Sequence, residues 1–210
     1  MGQDASPPAW QARHQLTADD YQATFNELTA QGFNPVLVNG YATPAGPRFA
    51  CIFQQTPTES WVARHNLTAA QYQAAFDEFT GKGFALDWVS GYFDGTQDLY
   101  AAIWRKLPAV PAWQARHGLT SNQYQAFFDE VTTQGYKPVV VSGYSDGAQA
   151  RYAAIFRQIA DAPTWQARHG LTSTQYQAVF DELVGQGFRL ELVSGYSVAG
   201  QDRFAAIWTK

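Results

Sequence analysis

The chain has 210 residues, 46% hydrophobic and 15% charged, a globular composition; aromatics reach 15%, so large rings must supply much of the core. A formal net charge of −4 and a sequence pI of about 5.5 argue against a general nucleic-acid binder, whose affinity comes from Lys and Arg neutralising phosphates, and weakly against anionic membrane. A single cysteine, Cys51, excludes an intramolecular disulfide, no Cys/His cluster has zinc spacing, and no apolar run nears the ~20 residues of a membrane span.

The N-terminal residues 1–9 read as a tail without an apolar signal core, which leaves the compartment open. After it, Trp10, Trp61, Trp113 and Trp165 stand at intervals of 51, 52 and 52 residues, a period that marks a repeat architecture. The units run 10–60, 61–112, 113–164 and 165–210.

Each unit opens on W-[QV]-A-R-H, an alternation that predicts a short strand with Trp113, Ala115 and His117 on one face of the third copy. Thr120 then predicts a helix N-cap and Gln123 completes a capping box, as do Thr68/Gln71 and Thr172/Gln175; Thr17/Asp20 is the departure. Tyr124, Phe128 and Val131 follow as one apolar helical stripe, and Gly135, like Gly32, Gly83 and Gly187, supplies the stop. "YKPVVVSGY" predicts a strand, a polar glycine-bearing loop follows, and "RYAAIF" predicts a second strand, the two forming a hairpin. Paired alanines such as Ala153 and Ala154 imply a backbone packed closely against the helix or a neighbouring sheet. Cys51 takes the slot of Ala102, Ala154 and Ala206, that of a small core residue.

One such unit cannot bury its stripe alone, so neighbours must stack. The fold expected is an α+β repeat protein: four units of one helix plus about three short antiparallel strands, in a strongly curved or closed sheet with helices on one side. Closure would pair the first Trp strand with the last unit and remove exposed edges. The rival is a piece of a longer array, or assembly with other copies.

The combination W-x-A-R-H-x-L-T, Y-Q-x-x-F-[DN]-E, S-G-Y and R-[YF]-A-A-I-[WF] resembles a bacterial Trp-containing tandem-repeat family found beside β-lactamase-like serine hydrolase domains. It is also similar to the N-terminal repeat region of fungal polyglycine hydrolases. The resemblance covers nearly the whole chain. It implies an extracellular, non-catalytic accessory module whose strands form a curved, half-barrel-like sheet. The catalytic partner's S-x-x-K and G-x-S-x-G motifs are absent from these residues.

The adjacent Arg and His of each unit invite a catalytic or metal reading. Four equivalent copies, each with one His and no second ligand, favour a structural role for Trp10, His14, Trp61, His65, Trp113, His117, Trp165 and His169. Each His lies beside an Arg and near the positive end of a helix, and both disfavour imidazolium. The arginines point to Glu27, Glu78, Glu130 and Glu182 as partners in a partly buried pair that sets register. Asp77/Glu78 and its equivalents do not form a glycosidase dyad, because adjacent helix residues point ~100° apart.

The hairpin loops vary on a fixed frame, as "ATPAGPR", "FDGTQDL", "SDGAQAR" and "SVAGQDR", and variable loops on a fixed scaffold are where binding resides. The ligand-binding candidates are therefore Tyr41, Arg48, Asp94, Asp98, Asp146, Gln149, Arg151, Gln201, Asp202 and Arg203. Neither "FDGTQDLY" nor "YSDGAQARY" has calcium-loop spacing. The sequence thus predicts a non-enzymatic module without metal or cofactor, binding glycan or cell-wall polymer at several weak sites. A structural or self-assembling scaffold, a homo-oligomer, is the alternative, and a hydrolase the third reading.

Overall fold

The computed structural model describes residues 7–56 and 60–210; positions 1–6 of the expected tail and 57–59 of the first connector lie outside the described residues. The first repeat consists of β1 (Trp10–Leu16), α1 (Ala18–Ala30), β2 (Asn34–Tyr41) and β3 (Arg48–Gln54). The second consists of β4 (Trp61–Thr68), α2 (Ala69–Gly81), β5 (Ala85–Phe93) and β6 (Asp98–Arg105). The third consists of β7 (Trp113–Thr120), α3 (Ser121–Thr133), β8 (Lys137–Ser145) and β9 (Ala150–Arg157). The fourth consists of β10 (Trp165–Leu171), α4 (Ser173–Gly185), β11 (Arg189–Val198) and β12 (Gln201–Thr209).

Each helix begins on a reciprocal capping box. Asp20 closes it as the glutamines do: its carboxylate accepts from the Thr17 N–H while the Asp20 N–H donates to Thr17 Oγ1. Bonds to Thr17 hold the Asp20 carboxyl below its usual range. The helix ends share one device: the Phe33 N–H reaches back to Leu28 O at 3.0 Å and Gly32 N–H to Thr29 O at 3.0 Å, a Schellman arrangement that satisfies otherwise orphaned carbonyls.

The strands form four separate three-stranded antiparallel sheets, ordered β1-β3-β2, β4-β6-β5, β7-β9-β8 and β10-β12-β11. This corrects the expectation of one strongly curved or closed sheet. The last strand of each repeat is central, and both its edges are used within the repeat. Trp10 pairs with Gln54 rather than with the fourth repeat, and β12 is flanked by β10 and β11. No edge of β12 is left for β1 to take.

The opening strand bulges after its His. Residues Gln15, Asn66, Gly118 and Gly170 adopt φ of 57°, 54°, 66° and 68°, which breaks the register between Arg and Leu. The bulge turns the chain from the strand into the capped helix.

The repeats stack through the two faces of each sheet. One face carries its own helix: in the first repeat Phe49, Cys51 and Phe53 meet Tyr21 and Leu28. The opposite face of the next sheet joins the same cluster through Tyr92, Leu99, Ala101 and Ile103. The alanine pair follows from this. Ala101 packs in the cluster with the preceding repeat and Ala102 in the cluster with its own helix. Two small side chains on one central strand let both neighbours approach.

Three contacts recur at every internal junction. The opening Trp docks edge-on against the preceding helix, as Trp61 on Phe25, Trp113 on Phe76 and Trp165 on Phe128, with centroids 5.6, 5.5 and 5.8 Å apart. The Tyr of S-G-Y lies over the glycine of the preceding repeat. A Cβ on Gly40, Gly91 or Gly143 would come within 2.2, 2.3 and 2.3 Å of Tyr92, Tyr144 and Tyr196, so only glycine fits. Finally, the N–H of that glycine donates to the next repeat's serine hydroxyl: Gly40 to Ser90 at 3.1 Å, Gly91 to Ser142 and Gly143 to Ser194 at 3.0 Å.

Candidate binding surface

The His of each opening strand reaches the preceding repeat. His65 packs edge-on against Tyr21 and Phe49, His117 against Tyr72 and Tyr100, and His169 against Tyr124 and Tyr152, at centroid distances of 4.5–5.5 Å. Burial depresses the pKa of all three, favouring neutral imidazole. His169 Nε2 also lies 3.3 Å from Ser121 Oγ, while Ala18 and Ala69 fill the position of Ser121 in the first two repeats. His14 and Trp10 are exposed.

Among the described residues the expected Arg–Glu pair forms once, as Arg116–Glu130 at 3.8 Å, and both side chains are about half exposed. This corrects the partly buried pair expected in each unit, since among the described residues only the third unit makes it. Arg13 and Arg168 turn instead to their own strands, donating to Gln11 and Gln166. Arg64 and Arg116 lie over the rings of Phe79 and Phe127. An ion pair that does join repeats is made by Asp87, which accepts from Arg105 Nε at 2.7 Å and from Arg157 of the next repeat at 2.8 Å.

The hairpin loops are held by the polar residues expected to bind. Asp94 accepts from Thr96 N, Thr96 Oγ1 and Gln97 N, and these bonds lower its pKa. Asp146 accepts from Ala148 N, Gln149 N and a two-pronged Arg151. Gln149 gives its carbonyl to Asp146 N. Arg48 donates to Ala45 O and Pro47 O, and Arg203 to Gln201 Oε1 and Asp202 O. Asp98 accepts from Tyr144 Oη of the next repeat at 3.2 Å, and that hydroxyl also meets Tyr100 Oη at 2.6 Å. Desolvation raises the Asp98 pKa and pushes that of Tyr100 up to about 12. The remaining candidate, Tyr41, is 37% exposed and borders an inner furrow of about 530 Å³, whose walls include Trp88, Ser90, Ser142, Glu191 and Val193.

The sequence reading passed over the junctions themselves. Between α1 and β4 a groove of about 440 Å³ is lined by Tyr21, Gln22, Phe25, Trp61, Arg64 and His65. Between α3 and β10 its counterpart of about 480 Å³ is lined by Tyr124, Gln125, Phe128, Trp165, Arg168 and His169. Each sets an indole, an amide, a guanidinium and an imidazole around one concavity. The signal was present as the recurrence of Y-Q-x-x-F and W-x-A-R-H, but their meeting across a repeat boundary is a tertiary fact.

Among the described residues no three His, Cys, Asp or Glu side chains gather in a metal-holding group, and no helix is long and apolar enough to cross a membrane. The unit just described, a capped helix on a three-stranded sheet, is that of a known family. A family model described as polyglycine hydrolase-like, structural repeat, matches residues 7–56, 58–107, 110–159 and 162–210. The chain belongs to the polyglycine hydrolase-like structural repeat family, as four tandem copies.

Proposed function

We propose that the chain is a non-catalytic, extracellular module that binds glycan or cell-wall polymer at its repeat junctions. The observation that carries this reading is the recurrence of one groove at the first and third junctions, with the same residue at seven of eight equivalent positions and Val62 against Gln166 at the eighth. An indole offers a π-face on which the C–H face of a sugar can stack, and the Gln and Arg heads suit hydroxyls. Two or more weak grooves on one stack convert a repeating polymer into an avid ligand without any strong single site. The loops give less support, because their Asp and Arg groups are engaged in holding the loop.

Titration calorimetry against soluble wall polysaccharides and their oligosaccharides tests the proposal. Polymer is expected to bind, and Arg168→Ala to weaken it by roughly tenfold through lost avidity. Asp146→Ala, in a loop, is expected to leave affinity unchanged. Flat heats for every polymer, or loss of binding on the loop change alone, overturn it.

A further inference from the structure

Arg64, Arg116 and Arg168 hold the same place in their opening strands but have different partners. Arg116 is paired within its own repeat: its guanidinium lies over the Phe127 ring at 4.3 Å, and its Nη2 stands 3.8 Å from Glu130 Oε2. The equivalent glutamates of the second and fourth repeats are drawn elsewhere. Glu78 is held by Lys82 at 2.5 Å, and Glu182 accepts from Gln186 Nε2 at 3.2 Å. Lys82 foremost, and Arg64 in smaller part, keep the Glu78 carboxyl below its usual range. Arg168 has no carboxylate within ion-pair distance among the described residues.

Arg64 and Arg168 each line a junction groove, and among the described residues neither groove has a carboxylate in its walls. Burial keeps His65 and His169 neutral, so the guanidinium sets the sign of each groove, on a chain whose net charge is −4. Arg168 Nη1 is committed to neutral acceptors, Gln166 Oε1 at 3.0 Å and Ala167 O at 2.8 Å, and Arg64 Nη1 to Ala63 O at 2.9 Å. These bonds anchor one end of the guanidinium to its strand. Among the described residues they leave the Nε and Nη2 donors unpaired, the side-on edge that takes both oxygens of a carboxylate. Across the groove, Gln125 Nε2 donates to Asp129 Oδ1 at 2.7 Å and Gln22 Nε2 to Asn26 Oδ1 at 2.8 Å. With its nitrogen turned along the helix, each amide has its oxygen left to accept from a ligand hydroxyl.

We propose that the first and third junction grooves take an acidic glycan, a polymer of uronate sugars whose carboxylate sits on the open edge of Arg168 and, less tightly, of Arg64. This rests on the reading of the junction grooves as glycan sites and names the sugar class. A hexuronate residue carries all three complementary groups: a carboxylate for the guanidinium, hydroxyls for the Gln oxygen and a C–H face for the indole. A neutral glycan has the ring but leaves the guanidinium edge on water. A phosphodiester polymer of small polyols has the charge but no ring to stack. At the second junction Glu130 already supplies a carboxylate to Arg116, so that arginine takes none from a ligand. The net charge of −4 repels an anionic polymer at long range, so attachment depends on these local contacts and weakens as salt screens them.

Calorimetric titration of the 210-residue chain with polygalacturonate, alginate and a β-linked glucuronan, each beside its carboxyl-reduced counterpart, tests the sugar class. At least one uronate polymer is expected to bind about tenfold more tightly than its reduced form, the worth of a charge-assisted hydrogen-bond pair. Arg168→Gln should bring that ratio close to one, Arg64→Gln should lower it less, and Arg116→Gln should leave it unchanged. The ratio is read within each variant, so a variant that fails to fold binds neither form and is not mistaken for one that has lost the preference. Equal affinity for every uronate polymer and its reduced form overturns the sugar class while leaving the glycan reading in place, as does binding of neutral wall polysaccharides alone. Poly(glycerol phosphate) binding as tightly as the uronates, or a preference that survives Arg168→Gln, also overturns it. Flat heats for acidic, reduced and neutral polymers alike overturn both.

Discussion

Gly91 and Gly195 occupy the same place in the same S-G-Y motif, yet a Cβ on one would strike a tyrosine ring of the next repeat and on the other would meet only Phe204 of its own repeat, at 3.5 Å. Trp113 and Trp10 make the same contrast at the other side of the unit: one rests on Phe76, the other stands in solvent. Equal sequence therefore carries unequal weight. Between repeats these residues hold the stack together, and at Gly195 and Trp10 they carry no such load.

Paired substitutions sharpen that contrast. The largest effect is expected for Gly91→Ala, whose Cβ would fall 2.3 Å from the Tyr144 ring. Overpacking there should cost about 3 kcal/mol or more in denaturant unfolding, since the ring cannot leave without opening the junction. Gly195→Ala should stay within about 0.5 kcal/mol. Equal losses at the two sites would mean that the glycine serves its own strand rather than its neighbour.

Next, Trp113→Ala should lower stability by about 3 kcal/mol through the cavity left against Phe76, and Trp10→Ala by less than about 0.5 kcal/mol. The melting temperature measures both.

A smaller effect concerns pH. Burial depresses the folded pKa of His65, His117 and His169 below the ordinary 6.5, so the unfolded chain takes up protons first. Their contribution is full above about pH 6.5 and is lost as pH falls through that value toward the depressed folded values. Melting temperatures between about pH 8 and about pH 5 should decline, and His117→Phe should make the decline shallower.

The smallest effect is expected at Arg116–Glu130, where both side chains are half exposed. Glu130→Gln should change unfolding by under about 0.5 kcal/mol, as solvent screens the pair. A larger loss would restore the register role first assigned to it.

Much of the unit was legible in the residues. Thr120 and Gln123 read as a capping box and form one; Gly135 read as a helix stop, and its N–H closes the helix end on Thr132 O. These features are local, set by side chains three or four residues apart, so the pattern alone carries them. The loop aspartates were harder. Asp94 and Asp146 sit on variable loops, which suggests binding, but a sequence does not tell whether a carboxylate faces a ligand or the N–H two residues on. The junction grooves were illegible because their two halves lie about 40 residues apart in the chain.

The sequence by itself determined the period, the helix with its caps, the hairpin and the need to stack. Those follow from hydrophobic spacing and from backbone groups that must be satisfied nearby. The tertiary structure alone decided that the last strand of each repeat is central, which leaves no edge of β12 for β1 to pair with, and that the strands divide into four sheets. It also decided which face of each sheet meets its neighbour. That choice depends on close contact between residues some fifty positions apart, such as a tyrosine ring on a bare glycine, which no local preference encodes.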